Sequence, residues 1–62
     1  MEKFINNAKP GDKFKTRKGE VVTFLKSWIR NHKVFLFPTG EWLLTTDNGN
    51  ALNLNNDIIA KL

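Results

Sequence analysis

Residues 13–28 read KFKTRKGEVVTFLKSW, and the architecture follows from how this segment alternates. Over residues 13–17, Phe14 and Thr16 fall on one side of an extended chain and Lys13, Lys15 and Arg17 on the other. This period of two is that of a half-buried strand. Arg17-Lys18-Gly19 then turns the chain, Gly19 being able to take the positive φ of a tight hairpin. A long second strand follows over residues 20–29. There Val22, Phe24, Lys26 and Trp28 share one side, and Val21, Thr23, Leu25, Ser27 and Ile29 the other. Neither side is cleanly polar, which suits a central strand bent across a barrel or one half engaged with a partner.

Beyond this hairpin, Gly and Pro recur at short intervals, at Pro10-Gly11, Pro38-Thr39-Gly40 and Asn48-Gly49. The runs between them are rich in Val, Ile, Phe, Trp and Thr and read as short strands. Residues 33–37 (KVFLF) and 42–46 (WLLTT) are two, and a brief one is expected near Ala51–Leu54. The tail NNDIIAKL is expected to form a 3₁₀ turn or strand and then a closing strand. At the start, Phe4, Ile5 and Ala8 have the spacing of a short amphipathic helix, which two turns sustain only by packing on the rest. Five or six short strands over residues 1–62 point to a single, mainly β domain, a small and strongly bent SH3-like barrel. Closure would protect edges that a flat sheet exposes.

Composition narrows the function. A chain of 62 residues buries only about 60% of its unfolded surface. With no Cys and one His, it has neither a disulfide staple nor the ligand clusters of a structural metal. No apolar run nears the roughly 18 residues of a membrane span, and MEKFINNAKPGD lacks a signal-peptide core, so a cytoplasmic location without membrane contact is expected. Residues 1–33 hold nine of the ten Lys and Arg against three acids, whereas residues 34–62 hold one against three. A chain polarised this way can draw a polyanion to one face.

The cations Lys13, Lys15, Arg17, Lys18, Lys26, Arg30 and Lys33 are the candidate nucleic-acid contacts. Alternate positions on a strand lie roughly 6.5–7 Å apart, near the spacing of successive phosphates, so such a row can follow a backbone. The bland account is that strand lysines deter edge-to-edge aggregation. Trp28 and Trp42 are the candidate stacking platforms, Trp28 the favoured one, because small barrels that grip single strands stack bases on aromatics beside a cationic groove. A second reading makes Trp28, Phe35 and Trp42 a protein-docking surface. Catalysis is not expected, and no cofactor is. Asp12, Glu20, Glu41, Asp47 and Asp57 are scattered over turns, His32 sits in a turn, and no phosphate loop or nucleophile motif occurs. The eight Asn suit turns.

Several short motifs occur in order: Phe14-x-Thr16-Arg17-x-Gly19, Phe37-Pro38, Thr45-x-Asp47-x-Gly49 and Asn56-Asp57-Ile58-Ile59. Their order resembles a group of small, SH3-like β proteins encoded by bacteriophages and prophages, although Lys18 stands where that group carries an acidic residue. The resemblance implies a phage-type origin and a β-barrel, without an activity. Two functions therefore remain open. One is a non-catalytic module that binds nucleic acid through a basic strand face. The other is a phage-type adaptor or inhibitor that docks on a host or virion protein, or pairs with a second copy of itself as a homodimer.

Overall fold

The computed structural model describes residues 8–29 and 31–62. Five antiparallel strands form one sheet: β1 Lys13–Thr16, β2 Val21–Trp28, β3 His32–Leu36, β4 Trp42–Thr46 and β5 Ile58–Lys61. Their order across the sheet is β4-β3-β2-β1-β5, and one 3₁₀ turn, Leu54–Asn56, precedes β5. The expected N-terminal helix lies outside the described residues except for Ala8, which packs against the core. Among the described residues no helix is long and apolar enough to cross a membrane.

Three turns share one geometry, set by a Gly at the fourth position. Gly19, Gly40 and Gly49 donate N–H to the carbonyls of Thr16, Phe37 and Thr46 at 2.8–2.9 Å. In turn the N–H groups of Thr16, Phe37 and Thr46 each donate to the carbonyl of the residue after the Gly. This is a type I turn closed by a left-handed residue. The glycines hold φ of +97°, +93° and +86°, a region that costs a residue with a Cβ dearly.

The core lies on one face of the sheet, as the alternation of β1 requires. Phe14, Val22, Phe24, Phe35, Leu43 and Ile58 form it. Phe35 sits edge-on to both Phe14 and Phe24, with ring centroids 5.4 Å apart in each case. It is fully buried, which corrects its assignment to a docking surface: Phe35 is the centre of the core. Truncating a Phe so placed costs about 3–5 kcal/mol.

Two features depart from the sequence-based expectation. First, β2 carries a bulge: Phe24 faces Phe35 while Lys26 faces Val34, so Leu25 is an extra residue against β3. A bulge of one residue reverses side-chain parity. Lys26 and Trp28 therefore leave the side of Val22 and Phe24 and join that of Val21 and Thr23. Second, the sheet stays open, and no ladder joins β4 to β5. Its two ends meet only at points. Ile58 N–H donates to the Gly49 carbonyl at 2.8 Å, and the strand expected near residues 51–54 shrinks to one bridge between Thr45 and Ala51.

Asp57 ties these points together. Its buried carboxylate accepts the Ala51 N–H at 2.8 Å through Oδ1 and Arg17 Nη2 at 3.4 Å through Oδ2. Its own carbonyl accepts the Arg17 N–H. One side chain thus links the β1–β2 turn, the segment after β4 and the start of β5.

Candidate nucleic-acid interface

Residues directly opposite in antiparallel strands share a face, so the register maps the outer surface. Lys13, Thr23, Leu36 and Trp42 form one row from β1 to β4. Lys26, Val34 and Leu44 form the next, and Trp28, His32 and Thr46 the third. Lys15 stands beside Val21 at the other end of β1. No carboxylate occurs among these strand residues.

Trp28 and Trp42 approach diagonally over this face, with centroids 5.7 Å apart and planes at 71°. The Lys26 ammonium lies 4.8 Å from the Trp28 centroid and 5.2 Å from that of Trp42, within cation–π range of both. Val34 points away from the core yet has 0% exposure. Its neighbours in the register explain this: Lys26 and Leu44 flank it, and the two indoles meet from opposite corners of the surrounding rows. Trp42 nevertheless remains 56% exposed, while Trp28 is half-buried. The outer face is thus an apolar floor with aromatic walls and a cationic rim.

Lys13, Lys15 and Lys26 are exposed, and none forms an ion pair with a described residue. Lys13 Nζ donates only to Thr23 Oγ1, at 3.2 Å. Comparison with protein-family models, curated proteins and solved structures finds no match. The physical arrangement of this face therefore carries the functional argument alone.

The structure divides the seven sequence-derived cations. Lys13, Lys15 and Lys26 share the outer face with Trp28 and Trp42. Arg17 turns instead to the Leu54 carbonyl and Asp57, where it braces the fold. Lys18 is exposed on the β1–β2 turn, beside a hollow lined by Glu20, Phe37, Pro38 and Glu41. Lys33 lies on the core side, opposite Ser27 and Thr45, with its side chain 11% exposed and its ammonium 3.0 Å from Asp47. It is remote from the outer face because β3 has no bulge and its odd residues point inward. Arg30 lies outside the described residues. Among the described residues no three His, Cys, Asp or Glu side chains gather as a metal site requires.

Sequence reasoning singled out Trp28 and Trp42 together, but it grouped Trp42 with the buried Phe35 and set Lys26 and Trp28 on the side of Phe24. It also missed Val34 and Leu44 as the floor between them. Only the register, through the Leu25 bulge, joins these residues, and a bulge of ordinary residues leaves no mark in composition.

Proposed function

We propose that the protein is a non-catalytic module that binds nucleic acid through the outer face of its sheet. Lys13, Lys15 and Lys26 meet phosphates, and Trp28 and Trp42 supply the apolar part of the surface. One observation carries the reading: three cations without a carboxylate partner among the described residues share with two tryptophans a face whose strand residues include no acid. Lys13 and Lys15, alternate residues of one strand, stand roughly 6.5–7 Å apart, a separation that suits neighbouring phosphates of one strand. The test is an anisotropy titration of labelled DNA and RNA with the protein and its Lys15→Glu variant, at low and near-physiological salt. Charge reversal should weaken binding to every sequence alike. Equal binding by both proteins would remove the face from consideration.

A protein partner is the second reading, favoured by the exposure of Leu44 and Trp42 and by the shallow hollow between Leu44, Ala51 and Leu52. Such docking, or pairing of two copies, would tolerate salt and fail with Trp42→Ala. For the architecture, we read the open sheet as SH3-like, supported by its bulged second strand and the 3₁₀ turn before its last strand. The phage-type origin rests on the motif resemblance alone.

A further inference from the structure

We infer that the Lys26 ammonium caps the tryptophan pair of the free protein and yields its place to an unpaired base, so that the interface selects single strands over duplexes. This deepens the nucleic-acid reading and rests on it. Lys26 is exposed and anchored at its tip only by the two rings. Its four-carbon stem lets the ammonium leave without moving the backbone.

Relative magnitudes say which partner holds the rings. A base on Trp42 displaces one of the two cation–π contacts, and an exposed contact multiplies an equilibrium constant by about 2–5, whereas stacking one base on an aromatic multiplies it by about 5–150. The base therefore displaces the ammonium, which stays on the same face and turns to a phosphate of the incoming strand. Trp42, more than half exposed, is the platform. Trp28, half-buried and edge-on to it, fixes the tilt of the platform.

The same geometry disfavours a duplex. Stacked and paired bases offer their edges and backbone, not the flat π-face that the indole needs. From Lys13 to Trp42 the row crosses three strand spacings, about 14 Å in all, and Lys26 lies between them. A strand drawn past Lys15 and Lys13 toward Trp42 would place about three nucleotides on the face.

Both tryptophans of the chain lie at this site, so intrinsic fluorescence reports on it alone. The experiment titrates three labelled probes of equal length, about 20 nucleotides, a span ample for one such site: oligothymidylate, an abasic strand with the same phosphates, and a duplex. Oligothymidylate should bind roughly tenfold more tightly than the abasic strand, the stacking factor divided by that of the displaced contact, and change the tryptophan emission. Trp42→Leu should abolish that preference, while Trp42→Phe keeps most of it. Lys26→Met should widen the preference, since no cap has to be displaced. Equal binding of all three probes with unchanged emission would overturn the inference while leaving phosphate binding intact, as would a duplex that binds as tightly as oligothymidylate. Binding to none of them would overturn the nucleic-acid reading itself.

Discussion

Neutralising the three outer-face lysines one at a time yields a number that follows from the structure. For single-stranded nucleic acid, log K falls with log salt at about 0.7 per phosphate neutralised. Lys13, Lys15 and Lys26 share the face, so a ligand on it gives a slope of about −2.1 and loses roughly 18-fold in affinity between about 50 and 200 mM salt. Each of Lys13→Gln, Lys15→Gln and Lys26→Gln should reduce the slope to about −1.4, a loss of roughly sevenfold over the same range. The triple variant should be nearly indifferent to salt. Lys18→Gln removes the same charge from the β1–β2 turn, off this face, and should leave the slope unchanged. Anisotropy titrations of oligothymidylate at four salt concentrations measure the parent and its five variants. If Lys18→Gln flattened the slope as much as Lys15→Gln, the ligand would be answering net charge, and the argument from a shared face would fail.

Three further outcomes concern the scaffold, each read as a shift in a chemical-denaturation midpoint. Asp57→Ala strands the Ala51 N–H and frees Arg17, which should cost about 1–3 kcal/mol, and Asp57→Asn should cost less because one acceptor oxygen remains. No loss for Asp57→Ala would mean the three segments are held by other contacts. Gly40→Ala should cost about 1–2 kcal/mol purely through φ of +93°, since the added Cβ meets nothing within 4 Å; a neutral result would show that the turn can relax. Lys33→Met keeps the buried stem and should fall within about 1 kcal/mol of the parent. Asp47→Ala leaves the Lys33 ammonium unpartnered and should cost more than that, short of a fully buried pair because Asp47 is 46% exposed. The reverse order would show that Lys33 contributes packing rather than charge.

Much of the scaffold is legible in the sequence because local rules govern it. The alternation of Phe14 and Thr16 with Lys13 and Lys15 is realised in β1, whose burial alternates strictly. Glycines at the fourth position of their turns place the ends of β1 and β3. The functional face is less legible, for a reason of parity. Counting by twos along β2 puts Lys26 and Trp28 with Phe24, and the count fails where Leu25 bulges. Lys33 is misplaced for a related reason: its neutralising partner, Asp47, lies one strand and one turn away, so burial of the ammonium is visible only once β3 and β4 are in register. Closure into a barrel was also beyond reach, since it depends on accumulated twist and on the loop after β4, which holds a single bridge where a strand was expected.

The pairing of β1 with β5 also constrains the order in which the molecule assembles. Strands β2, β3 and β4 each meet a neighbour in sequence, so their contacts close short loops. Thr16 and Ile58, by contrast, come together across nearly the whole described chain. The entropy of closing so long a loop is repaid only after the meander exists, so β5 docks last. Asp57, at the start of that strand, forms its contacts late, and its loss is expected to speed unfolding more than it slows folding. The outer face, built wholly from β1 to β4, would then exist before the strand that completes the sheet.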